Sequence, residues 1–85
     1  MQIIYTSKAK EHLDFWVKSG NKPVLKKIFL LTKAIVESPY EGLGKPEALK
    51  YNLINCWSRR ITQVHRLVYM VRNDLITILS IKGQY

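Results

Sequence analysis

The chain has 85 residues, room for one domain with one modest core. Hydrophobic residues make up 47% and charged residues 24%, which fits a globular protein and not a disordered tail. Fourteen Lys and Arg face six Asp and Glu, a formal charge of +8, and this excess favours polyanions or an acidic protein as partners.

No apolar run approaches the roughly 18 residues needed to span a membrane. In MQIIYTSKAKEHL a short apolar patch precedes the charges, the reverse of a signal peptide, so a cytoplasmic location is expected. Cys56 is the sole cysteine, which rules out an intrachain disulfide. Beside Trp57 at the start of a strand, it reads as a small buried hydrophobe.

In chain order, Met1 to Thr6 reads as a short strand, and Ser7 can cap a following helix with its hydroxyl. Ala9, Leu13, Trp16 and Val17 recur at helical spacing until Ser19–Gly20–Asn21 interrupts them. Pro23 suits the first turn of a second helix. There Val24, Ile28, Leu31 and Ile35 form an apolar stripe that ends at Ser38–Pro39. A loop, EGLGKPEALK, covers residues 41–50. WSRRI and HRLVYMV then read as two β-rich runs separated around Thr62–Gln63–Val64. Asn73–Asp74 makes a turn. The apolar run Leu75 to Ile81 reads as a strand inside the sheet. Helices first and strands later predict a single α+β domain over residues 1–85, a helical pair on one face of a mostly antiparallel sheet.

Few residues offer chemistry. His12 and His65 have no ligand partner at useful spacing, so no metal or other cofactor is expected. His12, a turn before Trp16, reads as a surface or packing residue. His65 reads as a structural hydrogen-bonder ahead of an RNA contact. Between Lys45 and Arg72 stand Lys45, Lys50, Arg59, Arg60, Arg66 and Arg72 against one acid, Glu47. A carboxylate among cations stays ionised at neutral pH and can act as a general base. Cleaving RNA without a metal needs a base for the ribose 2′-OH, cations for the phosphorane and an acid for the leaving 5′ oxygen. Glu47 and the arginines can supply the first two. On the residues alone, Glu47 reads first as a neutraliser of its neighbours.

Two stretches alter that balance. PYEGLGKPEALKY (39–51) and WSRRITQVHRLVY (57–69) resemble the signature of the YoeB/Txe toxins of the RelE-like superfamily. In that signature a GxGKPExL loop precedes a WSRRI…HRLVY hairpin. The resemblance implies a RelE-like microbial ribonuclease fold and a toxin of a type II toxin–antitoxin system. It implies a ribosome-dependent endoribonuclease (mRNA interferase) that cleaves mRNA in the A site and blocks translation. It also implies a cognate antitoxin and, in some members, a homodimer. Carried across by motif, Glu47 takes the general-base place and Arg66 the place beside the scissile phosphate. Lys50 and Arg60 match basic residues near the phosphate, and Tyr85 matches a terminal tyrosine that helps hold RNA. The family pattern has histidine before that tyrosine, as the general acid, where this chain has Gln84. Glutamine has no titrating proton, so the resemblance implies an impaired catalyst, whether by an introduced change or a natural departure.

Two matters stay open at this level. A two-residue hairpin loop puts Arg59 on the face of Arg66, whereas a three-residue loop puts Arg60 there, because a one-residue slip reverses faces. The motif alone favours Arg60. Function also has rivals in a ParE-like toxin acting on a protein such as DNA gyrase, and in an RNA- or ribosome-binding module without chemistry. The loop bearing Glu47 weighs against the first, and Gln84 favours the second.

Overall fold

The computed structural model describes residues 1–50 and 53–83. Strand β1 (Gln2–Tyr5) leads into helix α1 (Ser7–Ser19). The cap is Thr6 rather than Ser7: its side chain accepts from Ala9 N at 3.1 Å. Ser7 is the first helical residue instead. The Thr6 hydroxyl also donates to Leu79 O at 3.1 Å, so the sheet selects which of two adjacent hydroxyl residues becomes the cap. Gly20 closes α1 in the left-handed conformation. Asn21 caps α2 (Lys22–Glu37) by accepting from Val24 N, with Pro23 in the first turn. The stripe Val24, Ile28, Leu31 and Ile35 is buried as its spacing predicts.

Four more strands complete the sheet: β2 (Glu47–Ala48), β3 (Cys56–Arg60), β4 (Arg66–Arg72) and β5 (Leu75–Ser80). The sheet order is β1-β5-β4-β3-β2. β1 runs parallel to β5, and the other pairs are antiparallel. β5 is therefore flanked on both sides, which suits its apolar sequence. Leu67, Tyr69, Val71, Ile76 and Ile78 join the α2 stripe, Ala9 and Trp16 in the core. A bulge lies between the pairs Tyr69↔Ile78 and Val68↔Ser80, with Leu79 as the extra residue. It shifts the inward phase from Ile76 and Ile78 to Ile81, which is fully buried. β2 has only two residues, too short for any periodicity.

The segment 38–46 between α2 and β2 has no regular secondary structure, and it enters the sheet through a tight approach at Gly44. With φ of 88°, a Cβ there would meet Leu31 Cδ2 at 2.6 Å and Arg59 Cβ at 3.1 Å. Gly20 also has positive φ but nothing within 4 Å of such a Cβ. We therefore expect Gly44→Ala to destabilise by about 1–3 kcal/mol beyond the backbone strain of about 1 kcal/mol that Gly20→Ala carries. Urea unfolding midpoints check this, and equal losses would mean that the loop yields without cost.

Candidate nucleic-acid interface

Strand pairing decides which charges share a face, because directly opposed residues point to the same side. Arg60 pairs with Arg66, Ser58 with Val68, and Glu47 with Ser58. Glu47, Arg60 and Arg66 therefore share the face away from the helices. Glu47 is diagonal to Arg60, a separation of roughly 7–8 Å between such positions, and lies two strands, about 10 Å, from β4. Glu47 and Arg60 are exposed and Arg66 is partly buried.

The hairpin loop settles the choice between the arginines. Ile61 N donates to His65 O, and Thr62 Oγ1 accepts from Val64 N and His65 N at 3.1 and 3.0 Å. This is the three-residue register, with Arg60 opposite Arg66. Arg66 Nη1 donates to Thr62 O at 2.9 Å and Gln63 O at 3.1 Å, which tethers one edge of the guanidinium over the loop. A planar fork held at one nitrogen can still present its others to a phosphate. Arg59 points the other way and is fully buried.

Lys50 is exposed, two residues beyond β2. Gln84 and Tyr85 lie outside the described residues. The chain leading to them is held firmly. Trp16 Nε1 donates to Ile81 O at 2.8 Å. Ile81 N donates to His12 Nδ1 at 3.1 Å, and Gly83 N to His65 Nδ1 at 2.8 Å. Arg66 N also donates to Gly83 O at 2.9 Å. Both histidines are thus structural hydrogen-bonders, and His65 stands edge-on to Trp16 at 4.9 Å. The sequence signal for this was faint: His12 and Trp16 stand one turn apart on α1, with no sign of what they touch. Also missed were Lys8 and Lys82, which line a groove with Val68, Leu79 and Ser80 and extend the cationic surface. Cys56 is buried, and burial pushes its thiol pKa up, as befits an inert thiol.

A helical pair on one face of an open, mostly antiparallel sheet is the fold of the RelE-like toxins. Escherichia coli YafQ superposes with a TM-score of 0.80 at 14% identity, over 98% of this chain and 92% of that one, a likeness of fold alone. The chain belongs to the YoeB toxin family: the model of the YoeB-like toxin of bacterial type II toxin–antitoxin systems matches residues 5–85. It is 44% identical to Toxin YoeB of Synechocystis over 85 residues, covering all of this chain and 98% of that one. Identity to Toxin YoeB of Escherichia coli K12 is 41% over the whole of both chains. Among solved structures, a YoeB/ParE toxin from Agrobacterium tumefaciens superposes with a TM-score of 0.94 at 32% identity, covering both chains fully. A YoeB from a Staphylococcus aureus YoeB–YefM complex gives 0.87 at 42%, covering all of this chain and 98% of that one.

His12 makes the anchoring pH-dependent. Its pKa is lowered from 6.5, first by burial, then by Lys8 and Lys82, with Glu11 opposing. A neutral ring can accept from Ile81 N, whereas a protonated one cannot. The folded state therefore binds fewer protons, and stability is lost as pH falls from about 6.5 through the lower folded value. His12→Gln should flatten the fall in urea midpoint between about pH 7 and about pH 5. Parallel slopes for the two proteins would show that His12 is not the coupled group.

Proposed function

We propose that this toxin is a ribosome-dependent mRNA endoribonuclease that cleaves mRNA in the ribosomal A site and so stops translation. The observation that carries this reading is the pairing of β2, β3 and β4, which brings Glu47, Arg60 and Arg66 to one face. Glu47 takes the proton of a ribose 2′-OH, and the freed oxygen attacks the adjacent phosphorus. Arg66 stabilises the charge that grows on the phosphorane, with Arg60 and Lys50 binding the flanking backbone. The P–O5′ bond breaks, leaving a cyclic phosphate and a 5′ oxygen that must gain a proton. Gln84 occupies the place from which the family pattern supplies that proton, and it has none to give. Tyr85 helps hold the RNA.

The partners follow from charge and kinship. The Staphylococcus aureus YoeB–YefM complex supports a cognate antitoxin. A chain of +8 calls for an acidic segment that covers or distorts the Glu47–Arg60–Arg66 face. The YoeB dimer from the same organism supports a homodimer. The site of action is the cytoplasm, where ribosomes are.

General acid catalysis contributes about 10²–10⁴-fold in rate, so the chain should cleave ribosome-bound mRNA that much more slowly than its Gln84→His variant. Single-turnover cleavage on programmed ribosomes measures this, and equal rates would mean that the acid lies elsewhere. In the Gln84→His background, Arg66→Ala should lower the cleavage rate about 10²-fold or more while leaving ribosome affinity nearly unchanged. A loss confined to affinity would make Arg66 a docking residue.

A further inference from the structure

Arg59 is a buried cation that the proposed chemistry does not use. Its Nε donates to Tyr69 Oη at 3.1 Å, and Nη1 donates to Leu43 O at 3.0 Å. Nη2 donates to Ser38 O at 2.6 Å and to Glu41 O at 3.0 Å. The Tyr69 hydroxyl in turn donates to Pro39 O at 2.6 Å. Burial pushes the Tyr69 phenol pKa up, although Arg59 pulls the other way, so the hydroxyl remains a donor. One strand residue later, Arg60 N donates to Gly44 O at 2.7 Å. The carbonyls of Ser38, Pro39, Glu41, Leu43 and Gly44 are thus all held by β3 or by Tyr69 on β4. Glu47 follows three residues after Gly44, on a two-residue strand.

A stabilising role alone does not account for an arginine here. The one ion pair among the described residues is Lys18–Asp14, so carbonyl and phenol dipoles meet the Arg59 charge. Burying a charge carries a large desolvation cost, and an apolar side chain of similar volume often stabilises as well or better. What the guanidinium adds is a rigid fork of directed donors. The segment it grips includes Gly42 and Gly44, both at positive φ, and has no regular structure of its own. We infer that Arg59, with Tyr69 as its brace, is a positioning residue that latches the loop 38–44 to the sheet and thereby fixes Glu47 on the face shared with Arg60 and Arg66. The catalytic part of this inference rests on the ribonuclease reading. The latch itself does not.

The test uses Tyr69→Phe, which keeps the ring and its packing, and Arg59→Lys, which keeps a charge but not the fork. In the free protein, exchange of the Arg60 amide, which is bonded to Gly44 O, should accelerate at least ~10-fold in both variants. Amides of β4 and β5 should keep their protection. In the Gln84→His background, single-turnover cleavage should fall roughly 10- to 100-fold with ribosome affinity unchanged. The Arg59→Lys rate should fall despite the retained charge, because lysine lacks the fork. Unchanged exchange at Arg60 would overturn the latch, as would a loss of protection spread evenly over β4 and β5. An altered loop with an unaltered cleavage rate would overturn the positioning of Glu47. If the loop responds as expected but Gln84→His without further change cleaves no mRNA, the latch stands and the ribonuclease reading falls.

Discussion

The register of the β3–β4 hairpin decides which side chains share each face of the sheet. With Arg60 opposite Arg66, strand alternation sends Ser58 and Arg60 to one face and Trp57 and Arg59 to the other. Shifting the pairing by one residue would place a charged Arg60 under the helices and turn Arg59 out, stripping the loop 38–44 of its donors. The turn is built to prevent this. Thr62 Oγ1 accepts from two successive backbone amides, and Arg66 Nη1 caps the carbonyls of Thr62, Gln63 and His65. Arg66 therefore helps hold the register that puts Arg66 itself on the proposed RNA face.

The sequence reveals elements that carry their own periodicity and conceals those that depend on a partner. The α2 stripe is legible because four apolar residues at helical spacing allow one buried face. β5 is legible as an inner strand because it is apolar on both sides. β2 is not, since two residues form a strand only through Ser58 and Trp57 across from them. The sequence points to Ser7 as the cap, and Thr6 takes that place where Leu79 O engages its hydroxyl. The parallel pairing of β1 with β5 leaves no local mark, because its partners are about seventy residues apart.

The candidate site reads from the motifs and not from sequence geometry. Glu47, Arg60 and Arg66 follow from the loop and hairpin signatures. Charge pattern alone gives Arg59 and Arg60 equal claim, and the basic strip from Lys45 to Arg72 overstates the surface charge by one. Arg59 is fully buried and reaches no phosphate. Lys8 and Lys82, far from that strip in sequence, border the same side of the sheet through the groove at Val68 and Ser80. Folding thus withdraws one cation from the strip and brings in two from outside it, which no window along the chain can register.

The histidines carry the same lesson into the chemistry. A chain with two histidines, and with Gln84 where the family pattern has a third, invites one of them into the proposed acid's role. His65 spends Nδ1 on Gly83 N and packs its ring against Trp16, while His12 spends Nδ1 on Ile81 N. Either ring, protonated at Nδ1, would lose the bond that holds the last strand's exit in place. A general acid must carry its proton at the moment of transfer, so a histidine used this way would unfasten its own anchor as it armed itself. The division between anchors and chemistry is therefore physical. His12 on α1 and His65 in the turn before β4 fix the backbone at the sheet's exit, and in the proposed reaction the proton for the leaving oxygen has to come from elsewhere.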